Sequence, residues 1–167
     1  PITYLATKVS KWTRGDDKRL ARAMGYIQNT VHYQLTGYCN DQPADLYLEL
    51  YCDADFAGDE DGARSTTGGW LVLRGPDTYF PLIWVSRRQT HTSRSTTESE
   101  IIALAHNLFT EAMPAMTLWD LLLQRSVRLV IREDNDACIK IAYKGYSTKL
   151  RHMIRTHRVD LSSICLL

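Results

Sequence analysis

The chain has 167 residues, of which 44% are hydrophobic and 23% are charged, as is typical of a folded globular domain. No apolar run reaches the roughly 20 residues of a membrane-spanning helix, and the amino-terminal stretch lacks the apolar core of a secretory signal. The net charge of +1 indicates no class of partner, and the four cysteines lack the spacing of a zinc site.

The first predicted element is a helix near the amino terminus. The chain begins with Pro1 rather than Met, from which we expect a piece of a longer polypeptide. Asp16 or Asp17 is a suitable N-cap for a helix that runs to about Val31. Apolar residues recur at helical spacing on one of its faces: Leu20, Met24, Ile27 and Val31. A connector rich in turn-forming residues separates this helix from the rest of the chain.

Three short strands are predicted next. Between Leu46 and Cys52, apolar and polar residues alternate with the period of a half-buried strand, and the same alternation places Asp53 on the polar face. Further apolar runs at 69–75 and 79–88, with turn signals between them, predict an antiparallel meander. We expect three tryptophans to lie in the core because they occur in apolar patterns: Trp70, Trp84 and Trp119.

Helices alternate with one more strand in the second half of the chain. Thr97 is a suitable N-cap for a helix, with Glu100 in the capping-box position, and Pro114 should kink or end this helix before another begins. A fourth strand is predicted at 127–134, and the following helix should stop at Gly145. The tail has room for one more helix. This order predicts an α/β or α+β domain in which helices pack on a mixed sheet.

Acidic residues stand where these elements end or begin. Asp53 and Asp134 end strands, Glu98 and Glu100 open a helix, and Asp160 lies in the tail. Such ends often converge at one sheet edge, where several carboxylates repel one another unless a cation lies among them. Oxygen ligands with Arg and Lys nearby suit Mg²⁺ or Mn²⁺ and a phosphate substrate. The spacing alone leaves open that these acids are surface residues or helix caps.

Four motifs carry a resemblance to a known family. In chain order they are YCDADFAGDEDGARSTTGGWLV, STTESEIIALA, REDNDACIKIA and RTHRVDL. Together they resemble the RNase H domain at the end of a copia-type LTR retrotransposon Pol polyprotein, over roughly Leu46 to Leu161. Residues 16–36 are similar to the connection segment that follows the reverse transcriptase. The resemblance implies a connection segment at 1–45 and an RNase H-like domain at 46–167, with its last helix truncated or altered.

The resemblance also implies a fold and a reaction. The fold is ribonuclease H-like, with a central mixed sheet of about five strands flanked by helices. Two Mg²⁺ ions, or Mn²⁺, would be held by Asp53, Glu100, Asp134 and Asp160 to cleave the RNA strand of an RNA–DNA hybrid. Asp53 would bridge both ions, and Asp160 would hold the ion that activates water. The implied partner is the reverse transcriptase of the same polyprotein, with no membrane and no small-molecule cofactor.

The implied location is intracellular, in the cytoplasm within a virus-like particle or in the nucleus. Contacts to nucleic acid are expected from residues near the motifs and in the basic tail: Arg64, Ser65, Thr66, Arg94, Lys149, Arg151, Arg155 and His157. For Ser65 and Thr66 turn chemistry is an equal alternative. His157 is expected to contact the surface or a phosphate, with proton transfer or product release as the alternative.

Several neighbouring acids have more than one interpretation. Asp55 is either an outer-shell group or a turn residue, and Glu98 could replace Glu100 as ligand. Glu133 and Asp136, which flank Asp134, are expected to face solvent.

The tail departs from the family pattern. After Asp160 the chain reads SSICLL where the family has an aromatic, basic helix, and Arg158 stands where the family has His. These departures favour, as an alternative, a catalytically inactive, decayed fragment that keeps the fold and binds nucleic acid or another Pol segment. A DNA-cutting or strand-transfer relative is the third hypothesis, and the number and order of the motif acids argue against it.

Overall fold

The structure is a computed structural model that describes residues 2–58 and 63–165. It divides the chain into two compact units, Pro1–Thr36 and Gly37–Leu167, which are considered separately. The resemblance implied a boundary between a connection segment and a second domain at 45/46, which stays a prediction. The structure assigns residues 37–45 to the second unit, because the backbone around Asn40 and Asp41 bonds to the sheet.

The first unit is helical. It contains α1 (Ile2–Thr7), a 3₁₀ turn (Val9–Lys11) and α2 (Arg14–Asn29). The N-cap of α2 is Thr13 rather than Asp16 or Asp17, because Thr13 and Asp16 form a reciprocal capping box between side chains and backbone. The apolar face of α2 is not buried: Leu20, Met24 and Ile27 are 37%, 53% and 48% exposed.

The second unit is built on a five-stranded mixed sheet. Its strands are β1 (Tyr38–Cys39), β2 (Tyr47–Asp55), β3 (Thr66–Gly75), β4 (Thr78–Arg88) and β5 (Leu129–Arg132). Their order is β1-β4-β3-β2-β5, in which β2 and β5 are parallel and the other pairs are antiparallel. The predicted meander and mixed sheet are confirmed. The edge strand β1 was not predicted.

Helices of the second unit follow the meander and β5. They are α3 (Thr96–Asn107), a π turn (Leu108–Ala112), α4 (Met113–Leu123), α5 (Asp136–Lys144), α6 (Met153–Thr156) and α7 (Leu161–Cys165). The predicted interruption at Pro114 takes the form of the π turn: the Met113 N–H donates to the Leu108 carbonyl, and Pro114 lies in the first turn of α4. Gly145 ends α5 as predicted.

The core lies between one face of the sheet and α3. Leu48 and Leu50 of β2 are buried there with Ile101 and Leu104 of α3. Trp119 packs against this core, as expected. The expectation for Trp84 is wrong, because this residue is 66% exposed on the other sheet face, where its ring pairs with the half-buried Trp70.

A buried charged group lies on that other face of the sheet. Glu49 is 1% exposed, and its carboxylate contacts Arg74 at 3.1 Å and Arg132 at 2.7 Å. The Tyr51 hydroxyl donates to the same carboxylate at 3.0 Å. Paired charges and hydrogen bonds of this kind are what allow a carboxylate to be buried.

Within 2–58 and 63–165, no helix is both long enough and apolar enough to cross a bilayer.

Candidate metal centre

Three carboxylates meet at one edge of the sheet. Asp53 lies in β2, Glu100 in α3, and Asp134 follows the end of β5. Each side chain has an oxygen within 4.8 Å of an oxygen of the other two. Because β2 and β5 are parallel neighbours, their carboxyl ends share an edge, and α3 packs on β2 so that its first half reaches the same place. The fold thus gathers residues from three distant parts of the sequence.

The start of α3 decides which glutamate takes part. Its N-cap is Ser95, whose hydroxyl accepts a hydrogen bond from the Glu98 backbone N–H at 3.2 Å, so the predicted cap at Thr97 is wrong. Glu98 turns back, and its Oε2 accepts from the Arg94 backbone N–H at 3.1 Å. Glu100 is therefore not needed for capping, and it is Glu100 that lies beside Asp53 and Asp134.

Glu100 has an unusual environment for a carboxylic acid. It is 4% exposed, and burial together with the negative charges of Glu133, Asp53 and Asp134 raises its pKa to about 7. Its Oε2 atom is buried and has no hydrogen-bond partner among the residues that the structure describes. A buried acceptor without a donor is costly, and a bound cation would satisfy it.

Glu133 is a fourth carboxylate near this cluster. We expected it to face solvent, but its Oε2 is buried and, within the described residues, has no hydrogen-bond partner. Burial raises the pKa of Glu133, and the charges of Asp134 and Asp53 add to this effect. Its Oε1 accepts from the Asn135 backbone N–H at 3.1 Å. Asp136, by contrast, is exposed as expected. Glu133 lies two residues after Ile131, on the face of β5 that packs against the core, so strand alternation continued past Arg132 would have indicated its burial.

Asp160 does not join the three acids, although it lies in the described part of the chain. Its Oδ1 accepts from the backbone N–H of Ser162 at 3.0 Å and from the Ser162 hydroxyl at 2.8 Å, directly before α7. The carboxylate is thus used as a helix cap, a role that the sequence Asp-Leu-Ser-Ser permits. Asp55 is the exposed last residue of β2, and a side chain at Gly58 would clash with its carboxylate.

The three clustered acids fit a hard divalent cation. Their oxygens lie close enough to contact one ion, and Mg²⁺ and Mn²⁺ prefer carboxylate ligands. Without a cation, burial first and the repulsion of the neighbouring acids second raise the pKa values of Glu100 and Glu133. Asp53, Glu100 and Asp134 are therefore the residues that could hold a metal.

A second cluster joins Glu98 to the tail. Glu98 Oε1 lies 3.0 Å from His152 Nε2 and 2.8 Å from His157 Nε2. Burial opposes ionisation of Glu98, but hydrogen bonds from His152, the Arg94 backbone and His157 outweigh it and lower the pKa of this carboxyl. The His157 side chain is 5% exposed. His157 is therefore mostly covered on its Glu98 side, but it also lines a cavity with Arg87 and Arg88, and its expected contact with a phosphate stays a prediction.

The other predicted nucleic-acid contacts differ in exposure. Ser65 is buried, and its hydroxyl accepts from the Ala57 backbone N–H at 3.2 Å, so turn chemistry explains it and a phosphate contact does not. Thr66 is half-buried in β3. Five basic residues are exposed: Arg64, Arg94, Lys149, Arg151 and Arg155. Two further arginines, Arg87 and Arg88, line a cavity of about 360 Å³ together with Asp160.

The chain is similar to three curated proteins of Arabidopsis thaliana. It is 31% identical to the uncharacterized mitochondrial protein AtMg00810 over 104 residues, which is 62% of this chain and 40% of that protein. It is 31% identical over 109 residues to the retrovirus-related Pol polyprotein from transposon RE1, and 29% over 157 residues to that from transposon RE2. These matches cover 63% and 91% of this chain, but 7% and 10% of the two polyproteins.

The chain therefore spans less than half the length of these curated relatives. Comparison with protein-family models and with solved structures gave no match. The similarity is to a segment of retrotransposon Pol polyproteins.

Proposed function

We propose that this chain is the RNase H segment of a retrotransposon Pol polyprotein, with a ribonuclease H-like fold, and that it cleaves the RNA strand of RNA–DNA hybrids with divalent metal ions. The observation that carries the proposal is the convergence of Asp53, Glu100 and Asp134 within 4.8 Å at one sheet edge. The similarity to transposon Pol polyproteins supports the biological setting.

The proposed roles follow from where the carboxylates lie. Asp53, Glu100 and Asp134 would be the ligands that hold Mg²⁺ or Mn²⁺. Glu133 and Asp160 both lie outside the group of acids within 4.8 Å, but the charge of Glu133 acts on Glu100, and one of its buried oxygens has no partner in the described chain. Because Asp160 caps α7, Glu133 is the better additional carboxylate. Bound divalent ions supply charge neutralisation and an activated water, so no side-chain nucleophile is required. Glu100 must lose its proton to serve as a ligand.

Substrate binding is proposed to rest on exposed cations rather than on base recognition. Arg64 and Arg94 precede β3 and α3, and Lys149, Arg151 and Arg155 lie in the tail. Side chains of this kind contact phosphates, and a protein distinguishes a hybrid through its backbone shape and the 2′-hydroxyl. The reverse transcriptase of the same polyprotein is the proposed partner that positions the hybrid.

The test is a cleavage assay on an RNA–DNA hybrid with the RNA strand labelled, in Mg²⁺ and in Mn²⁺. We expect metal-dependent cleavage of the RNA strand that Asp53→Asn abolishes. Asp136→Asn is the matched control, because Asp136 is an exposed acid near the cluster and should leave cleavage unchanged. If folded protein cleaves nothing with either ion, the inactive-fragment alternative replaces the enzyme.

A further inference from the structure

The geometry points to a second metal site in this chain: we propose that Glu98, His152 and His157 bind one Zn²⁺ ion. This site is separate from the acid cluster and does not depend on the proposed nuclease activity. Its three ligand atoms lie within 4.8 Å of one another, and it joins the start of α3 to both ends of α6.

The ligand set is one that zinc prefers. Zn²⁺ is bound by imidazole nitrogens and carboxylate oxygens, and two histidines with one glutamate leave a fourth position for water. His152 and His157 form an H-x4-H pair, which falls within the H-x3–5-H spacing of known zinc sites. Mg²⁺ does not compete well for imidazole, whereas the all-oxygen cluster at Asp53 favours it.

The distances are close to those of a coordinated ion. Ligand atoms about 2.0–2.1 Å from a tetrahedral zinc lie roughly 3.3 Å apart. The two observed separations from Glu98 Oε1 to imidazole Nε2 atoms are 2.8 and 3.0 Å, so these two need widen by only a few tenths of an ångström. The ligand atoms of the two histidines lie within 4.8 Å of each other and would have to approach a similar distance. Both imidazoles present the same atom, Nε2, toward the same carboxylate oxygen.

The same contacts can be made with or without an ion, and the two states differ in where the imidazole protons lie. Without an ion, the carboxylate only accepts, so each Nε2 carries a proton and both rings donate to Glu98 Oε1. With a metal ion, each neutral ring carries its proton on Nδ1 and gives its Nε2 lone pair to the ion. Glu98 Oε2 meanwhile accepts from the Arg94 backbone N–H, which orients the carboxylate as outer-shell partners of metal ligands do.

Burial and access also suit a bound ion. Glu98 is 1% exposed and the His157 side chain 5%, whereas the His152 side chain is 25% exposed and provides the route to solvent. His91, whose ring lies edge-on to His157 at 5.7 Å between centroids, is the nearby imidazole that could replace water as fourth ligand. The ion would fasten the tail to the helix that carries Glu100.

The test is equilibrium dialysis of the full chain against Zn²⁺ in excess Mg²⁺, which competes with Zn²⁺ for the remaining acids of the cluster. The chain carries Asp53→Asn, Cys39→Ser and Cys165→Ser, so that neither the acids nor the exposed thiols retain zinc. We expect one bound Zn²⁺ per chain, and visible absorption bands of nitrogen-ligated Co²⁺ when Co²⁺ replaces it. His157→Gln should weaken Zn²⁺ binding by at least about 100-fold, the upper end of losses seen for outer-shell partners.

His32→Gln is the matched control, because His32 is an exposed histidine of the first unit and should not change the affinity. His152→Gln is a second variant, at a more exposed position, which keeps the test decisive if the His157 variant misfolds. Circular dichroism checks that both variants are folded. Loss of zinc in folded His152→Gln supports the site. Absence of stoichiometric Zn²⁺ in the folded parent, or equal binding by folded His152→Gln and its parent, overturns it and leaves a hydrogen-bonded triad.

Discussion

Glu100 couples the stability of the metal-free chain to pH. Its pKa is about 7 in the folded chain and returns to its ordinary value of 4.5 on unfolding. Between these values the folded state binds the extra proton, so the free energy of unfolding should fall as pH rises through this range. Urea denaturation in a chelator at several pH values between about 4.5 and 8 measures this slope.

Glu100→Gln isolates the contribution of this side chain. The variant cannot ionise at this position, so its stability should decrease less between pH 4.5 and 7 than that of the parent, and it should be the more stable protein at alkaline pH. Asp136→Asn, an exposed acid, should keep the parental slope. An unchanged slope in Glu100→Gln would mean that Glu100 is not the buried acid that the cluster requires.

Asp134 and Asp160 should respond differently to the same isosteric change. Asp134→Asn removes a charge from the cluster and should reduce hybrid cleavage by more than about 100-fold, beyond the usual effect of an outer-shell partner. Asp160→Asn should leave cleavage nearly unchanged, since Asn caps a helix about as well as Asp. Initial cleavage rates of the two variants in Mg²⁺ are compared. Equal losses of rate would mean that Asp160, like Asp134, is a metal ligand.

Gly145 fixes the end of α5 in a conformation that few residues adopt. Its φ is +67°, and a Cβ there would lie 2.9 Å from the Cβ of Cys165. Gly145→Ala should therefore lower the free energy of unfolding by about 1–3 kcal/mol, which a urea titration measures. Gly145→Asn should cost less, because Asn tolerates left-handed backbone better. Equal stability of the Ala variant and the parent would contradict this account.

The elements were predicted well where periodicity decided them. Alternation in β2 and the helical repeat of α3 reflect a buried face, and the meander and the existence of β5 followed from these patterns and from turn residues. The parallel pairing of β5 with β2 was not predicted. The strand β1 carries no such signal: two residues pair with β4 because neighbouring backbone N–H groups reach the Thr78 hydroxyl. Contacts between distant residues of this kind are not encoded in local sequence.

The candidate site was predictable only in part, because some of its contacts join residues that are far apart in sequence. Asp53, Glu100 and Asp134 end or begin elements whose order places them at one edge. Asp160 was assigned by motif resemblance, whereas local capping of α7 holds its side chain. The His152 and His157 contacts with Glu98 join parts of the chain that are far apart in sequence, so no local pattern revealed them.

The boundary between the two units has a measurable consequence for the molecule. Asn40 and Asp41 N–H groups donate to Thr78 Oγ1 at 3.1 and 3.2 Å, and Asp41 Oδ2 accepts from the Asp77 N–H at 2.8 Å. A chain of residues 37–167 keeps these bonds, and one of 46–167 loses them. We expect the shorter chain to be less stable by about 1–3 kcal/mol in urea denaturation.

Asp41→Ala in the full chain is the companion variant and should reproduce part of that loss. If the 46–167 chain were as stable as the 37–167 chain, residues 37–45 would belong functionally with the first unit. Removal of residues 1–36 should leave the Mg²⁺-dependent rise in Tm unchanged, because all of the clustered acids lie beyond Gly37.

The parallel pairing of β2 with β5 also bears on the order in which the molecule assembles. Hairpin contacts among β2, β3 and β4 are local and can form early. The pairing of β5 with β2 is slower, because α3 and α4 lie between these two strands in the sequence. The acid cluster is complete only after β5 pairs with β2. Contacts between residues far apart in sequence must therefore form before the cluster can bind a metal ion. Ions that recognise the finished cluster would act chiefly on the unfolding rate, extending the lifetime of the native state rather than hastening its formation.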